Sequence, residues 1–212
     1  MTSLTAPTSP PRALLDEVLP RYEAREVHAV HIAAPPPAVY RALEKLTLRE
    51  LPLFRALMGA RALPARLVGH GRRTARPGGR RALGSETRLL DWAMRLGLTV
   101  LASRPGSGLA VGGVGQPWMP TGGAIATISS PAEFVAFDRP GFAKLALAFE
   151  LEPVPGGTRV VTETRVDTTD PLSHRRFGVY WHVIRVWSAA IRRSWLRALK
   201  RRAERSHAPA TA

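Results

Sequence analysis

The clearest rhythm in the chain lies near its C-terminal end, where Phe177, Trp181, Ile184, Ser188, Ile191, Trp195 and Leu199 recur at steps of three and four. That spacing places them along one side of a helix, with Arg185, Arg193, Arg197 and Arg201 falling away from the stripe. Asp170-Pro171 supplies a cap and a first-turn proline, and no further proline occurs before Pro209, so the helix is predicted from about 172 to 205. At 1.5 Å per residue it would reach about 50 Å, the full width of a compact domain of this size.

Upstream the pattern shifts to a period of two. Residues 142–153 and 158–168 flank Val154-Pro155-Gly156-Gly157 as a hairpin, and 98–103 and 109–115 flank Arg104-Pro105-Gly106-Ser107-Gly108 as another. Gly112, Gly113 and Gly115 predict a bulge or bend in the strand that carries them, and 124–128 is a further short strand. Near the start, residues 22–33 alternate, with Ala24, His28, Val30 and Ile32 on one parity, as in a half-buried strand. Pro35, Pro36 and Pro37 end it, and short helices are predicted at 36–46, at 48–58, at 12–19 and after Ser85, read as a cap. Residues 69–84 lack apolar periodicity and contain several breakers, which predicts a basic surface loop. One domain over 12–205 is expected, between tails at 1–11 and 206–212.

These elements make an α+β fold. The order strand, two short helices, antiparallel strands and a long terminal helix resembles the helix-grip fold of the START-like, or SRPBCC, superfamily. That superfamily includes lipid-transfer domains, polyketide cyclases and birch-pollen-allergen-like proteins. The resemblance is carried by residues 28–35 leading into the Val39 helix, by Thr162-Glu163-Thr164-Arg165-Val166 leading into Asp170, and by YWHVIRVWSAAIRRSWLRALKRRAE, and it spans roughly 21–205. It implies a curved antiparallel sheet wrapped around the C-terminal helix, and a cavity between them able to hold a hydrophobic or amphipathic small molecule or lipid.

Composition changes this picture in two ways. The chain has no cysteine, which removes disulfides and thiolate chemistry. No leader and no long apolar run is found, so a cytoplasmic protein is expected. The formal net charge is +15, and Lys45, Lys144 and Lys200 are the only lysines among the basic residues. The excess gathers at 55–81 and 175–202, both free of acidic residues, so anionic membrane or nucleic acid is a second partner class.

The candidate cavity walls are Trp92, Trp118, Phe149, Tyr180, Trp181, Ile184 and Trp187, since a small-molecule pocket needs apolar walls with a few polar anchors. His28, Glu163 and Arg165 are candidate anchors. Glu163 and Arg165 share one face of their strand and Thr162 and Thr164 the other, so either pair could point inward. Arg193, Arg197, Lys200, Arg201 and Arg202 are the candidate anion-binding residues. Nucleotide-loop, hydrolase-elbow and zinc-protease motifs are missing, and His28 and His31 face opposite sides of a strand, so no cofactor and no metal is expected. Binding is favoured over catalysis, although His28 with Glu163 would be the pair for acid–base chemistry.

Overall fold

A computed structural model describes residues 13–61, 84–119 and 123–207. In chain order its elements are α1 (Leu14–Val18), β1 (Ala24–Ile32), α2 (Pro36–Glu44), a 3-10 turn (Leu48–Glu50), α3 (Pro52–Arg61) and α4 (Leu89–Arg95). There follow β2 (Thr99–Arg104), β3 (Gly108–Gly115), β4 (Ile125–Ala126), α5 (Pro131–Ala136), β5 (Ala143–Val154), β6 (Gly157–Thr168) and α6 (Pro171–His207). The six strands form one curled antiparallel sheet in the order β1-β6-β5-β3-β2, with β4 paired to β3.

The β5–β6 hairpin sits at the centre of this order and turns through Gly156 and Gly157, both at positive φ. A Cβ on Gly157 would stand 2.1 Å from the Ile32 carbonyl oxygen, so glycine lets the turn lie against the end of β1. Alternation along the strands then sorts the side chains. Val160, Thr162, Thr164 and Val166 of β6 share the inner face with Leu147, Phe149 and Leu151 of β5.

The outer face carries the smaller Ala110, Ala146 and Ala148, which leave room for Leu14, Leu15 and Val18 of α1 and for the fully buried Phe134 of α5. The outer face is therefore covered over β2, β3 and β5, whereas on β1 the same face is open, with Arg25, Val27, Ala29 and His31 exposed.

Helix α6 contains 37 residues, about 55 Å of rise. Asp170 caps it, accepting hydrogen bonds from the amides of Leu172 (2.9 Å) and Ser173 (3.0 Å) and from the Ser173 hydroxyl (2.5 Å). These bonds, with one from the Gly141 amide, hold its carboxyl well below the usual range. The helix is seated on the inner face at two places. At its N-terminal end Phe177 packs with Ala24, Ala143 and Val166. At its C-terminal end Trp195, Leu196, Leu199 and Ala203 join Leu43, Leu51, Phe54 and Val160 in the main core. Arg202 donates to Glu50 at 2.6 Å, and Glu50 also caps the 3-10 turn through the Thr47 amide and hydroxyl, so one carboxylate ties the helix end to the early turn.

Several elements depart from the sequence pattern. The helix expected over 48–58 is broken, because the capped turn ends at Leu51 and Pro52 restarts the chain as α3. The helix expected after Ser85 begins at Leu89. Ser85 and Glu86 form a turn, closed by the Thr87 amide on the Gly84 carbonyl, and Arg88 stays extended through its bridge to Thr47, next to the Leu48 amide bond to the Thr87 carbonyl. The irregularity expected in the glycine strand falls on its neighbour, where register shifts between Val100 and Ala102. Gly112 serves close approach: a Cβ there would lie 2.5 Å from both Leu101 Cδ1 and the Leu145 carbonyl oxygen. The strand expected at 124–128 shortens to β4, and α5, capped by Ser130, was not expected. Helix α6 runs to His207, past the expected boundary at 205. Of the basic loop expected over 69–84, residues 69–83 lie outside the described residues, as do the N-terminal tail over 1–11 and residues 208–212 of the C-terminal one.

Candidate functional site

Between its two seats α6 is loosely covered. From Gly178 to Ile191 no side chain of the helix is buried, and the inward positions Tyr180, Trp181, Ile184 and Ser188 are half-buried. Beneath this stretch the inner face of the sheet turns polar. On β1 the inward parity carries Glu26 and His28, which stand opposite Thr164 and Thr162 of β6, and those in turn stand opposite Leu147 and Phe149 of β5. The result is two adjacent rows, Glu26–Thr164–Leu147 and His28–Thr162–Phe149.

Helix α6 closes over these rows with Ser188, Arg192 and Trp195, which share a side at steps of four and three. Glu26 accepts a hydrogen bond from the Ser188 hydroxyl at 2.7 Å, and its other oxygen lies 2.7 Å from His28 Nε2. Trp195 stacks on Phe149 with 6.4 Å between ring centroids, and the Arg192 guanidinium sits 4.4 Å from the Trp195 ring centre. Sheet and helix thus enclose a small polar cluster with aromatic edges.

Several groups in this cluster are shut off from solvent without a protein partner: Nε and Nη1 of Arg192, the hydroxyls of Thr162 and Thr164, and the indole nitrogen of Trp195. Buried polar atoms are nearly always hydrogen-bonded, and each one left unpaired costs about 1–3 kcal/mol. Such a cluster marks a place where a bound molecule or ordered water completes the bonding. Burial also acts on the charge of Arg192, pulling the guanidinium down to about 10 against the opposing pull of Glu26.

The residues singled out from sequence scatter around this cluster. Phe149 forms part of its floor, and Trp118, Tyr180 and Trp181 gather at the Phe177 end, where the Trp118 indole nitrogen is also buried without a partner. Ile184 is half-buried on the inward side of the helix. Trp92 belongs to the main core, edge-on to Phe54 at 4.7 Å. Trp187 is not a wall: it is 54% exposed. It lies on the outer face with Val179, Val183 and Val186, because residues at steps of three and four from it follow the outer stripe.

His28 occupies the inward parity as expected. Glu163 and Arg165 do not serve as inner anchors, since the threonine pair takes that face together with Val160 and Val166. Arg165 instead donates to Asp16 (2.6 Å), Glu163 (2.7 Å) and the Leu19 carbonyl (3.0 Å), while Arg25 donates to Glu163 at 2.7 Å. This outer network fastens the N-terminal segment to the sheet. His28 therefore pairs with Glu26 in place of Glu163.

Among the expected anion-binding residues, Arg193, Arg197 and Arg201 are exposed. Lys200 is engaged by the His31 carbonyl (2.9 Å) and Glu204, and Arg202 by Glu50, so these two already have partners within the fold. Glu26 and Arg192 were missed. The available signal was an arginine four residues after Ser188 and three before Trp195, inside the apolar stripe, which the high arginine content masked.

Two shallow surface depressions, of about 330 and 230 Å³, lie elsewhere, one by Pro35, Gly156 and His207 and the other by Ala29, His31 and Arg159. Among the described residues no cluster of His, Asp and Glu could hold a metal ion, and no helix is long and apolar enough to cross a membrane.

No family model matches the chain, and no curated protein does. Solved structures similar to it include protein MLL2253 from Mesorhizobium loti, at 16% identity and a TM-score of 0.35, covering 86% of this chain and 98% of that one. TTHA0849 from Thermus thermophilus matches at 14% identity and 0.29, with 87% and 100% covered. Protein CV1439 from Chromobacterium violaceum matches at 15% and 0.31, with 84% and 94% covered. Similarity at this level assigns no activity.

Proposed function

We propose that the protein binds a small hydrophobic or amphipathic molecule between the sheet and α6, in the manner of the START-like, or SRPBCC, superfamily that its sequence resembles. The observation that carries this proposal is the set of buried, unpartnered polar atoms at Thr162, Thr164 and Arg192 beneath the loosely seated stretch of α6. Aromatic and aliphatic side chains beside polar groups are what a small organic ligand needs for affinity and orientation. The half-buried stretch 178–191 is the natural entry, because raising it exposes no fully buried side chain of the helix.

Native mass spectrometry of the protein purified from its own host tests the proposal. A bound small molecule is expected, and Thr162→Val with Thr164→Val is expected to lower its occupancy severalfold without unfolding the chain. Protein that carries nothing and takes up no amphiphile from a mixed lipid extract would refute it.

A second reading, docking on an anionic membrane, is favoured by the outer face of α6. Val179, Val183, Val186 and Trp187 are 72%, 67%, 66% and 54% exposed there. The same face continues into exposed Arg193, Arg197 and Arg201, and the helix holds no acidic residue before Glu204. An apolar ridge with a tryptophan and flanking arginines suits a lipid surface better than a nucleic acid, whose backbone rewards charge and gains nothing from exposed valines. Co-sedimentation with acidic vesicles should exceed that with neutral ones and fall on Trp187→Ser with Val183→Ser. Equal recovery from both vesicle types would exclude charge-driven docking.

A further inference from the structure

The polar cluster beneath α6 is unbalanced in hydrogen-bonding character. Thr162 and Thr164 can each donate, and Arg192 can only donate, yet none of their buried atoms named above has an acceptor in the protein. The one carboxylate nearby is committed elsewhere: Glu26 uses one oxygen on Ser188 and the other on His28. It makes no contact ion pair with Arg192 and acts on the guanidinium only through its charge, while the face of Trp195 lies 4.4 Å from it. Buried arginines are almost always hydrogen-bonded to an acceptor, so Nε and Nη1 of this one lack theirs.

We propose that Arg192 is the clamp for an anionic head group, a carboxylate, on the ligand of the cleft, and thus that the ligand class is an acidic amphiphile. The inference rests on the cleft-binding function proposed above. A carboxylate placed between the guanidinium and the threonine hydroxyls accepts charge-assisted hydrogen bonds from all three. The apolar body then runs away from the main core, since the C-terminal seat is closed by Trp195, Leu196 and Leu199. Its path leads under Ile184 and Trp181 toward Phe177, along the half-buried Leu145. The exposed arginines of the outer face have water for a partner and provide no such selectivity.

The test compares 11-(dansylamino)undecanoic acid with its methyl ester by fluorescence titration of the intact protein. These probes share their apolar body and differ in the head group. Wild-type protein is expected to bind the acid at least tenfold more tightly than the ester. Arg192→Met is expected to bring the two within about twofold by weakening the acid alone. Arg192→Gln makes the same comparison should the methionine variant fail to fold. Equal affinities in the wild type, or a preference for the acid that survives loss of Arg192, would overturn the clamp while leaving the cleft intact. Failure of both probes to bind would overturn the cleft itself and the clamp with it.

Discussion

Replacing Arg192 by methionine should make the protein more stable. Methionine keeps the unbranched stem and the contact with Trp195 but removes a buried charge whose Nε and Nη1 have no acceptor in the protein. Holding a guanidinium down at about 10, below its ordinary value, corresponds to about 3 kcal/mol against the charged form. Loss of the cation–ring attraction to Trp195 returns about 1–2 kcal/mol of that. The ligand-free variant is therefore expected to gain about 1–2 kcal/mol, and its Tm to rise by about 3–6 °C for a chain of this length. Urea unfolding of both proteins, each stripped of bound molecules by unfolding and refolding, measures the difference.

The pH dependence adds an independent check. The unfolded chain holds this proton more tightly than the folded one, so wild-type stability should climb as pH rises past about 10, and the variant should lack that climb. A variant less stable by more than about 1 kcal/mol would show that the guanidinium is satisfied within the fold. The polar cluster beneath α6 would then have no need of an anion.

Two further outcomes follow from the outer side of the sheet and from its tightest approach. Arg165→Met removes a side chain that is 5% exposed and holds Asp16, Glu163 and the Leu19 carbonyl. Equilibrium unfolding should show a loss of about 3 kcal/mol at neutral pH. Burial by itself raises the Glu163 carboxyl, but hydrogen bonds from Arg25 and Arg165 outweigh it and hold the group below its ordinary value. The stability it contributes is complete above the unfolded carboxylate range, near pH 5, and is lost as pH falls through the lowered value. The variant should show a smaller acid-induced loss. Gly112→Ala would drive its methyl into Leu101 and into the Leu145 carbonyl oxygen, and because that oxygen belongs to the sheet it has little room to move. A cost of about 1–3 kcal/mol is expected, with faster amide exchange at the β3–β5 pairing as the local signature. Wild-type protection there would contradict the proposed clash.

The architecture was legible where periodicity was long. Twelve-residue strands on either side of Pro155-Gly156 and an apolar stripe from Phe177 to Leu199 leave few alternatives, and both were found. Short elements such as α5 and the broken helix at Leu48–Pro52 rest on single caps and on bridges to distant residues, which a local pattern does not contain. The site was less legible for a related reason. Parity alone leaves Thr162/Thr164 and Glu163/Arg165 equivalent. What separates them is that Asp16 and Leu19 arrive on one side and Ser188 on the other. Arg192 was hidden by composition, since in an arginine-rich helix one buried guanidinium has the same letter as its solvated neighbours.

The strand order places β1 beside β6, although most of the chain separates them, and even the small Thr158 to Ala34 bond at 2.6 Å spans 124 positions. During translation the first strand therefore emerges long before β6, the strand it pairs with. At synthesis rates of about 5–20 residues per second it waits on the order of ten seconds with one edge of its backbone unclaimed. A nascent chain of this topology is expected to need shelter from chaperones over that interval, and its slow step in refolding should be the capture of β1.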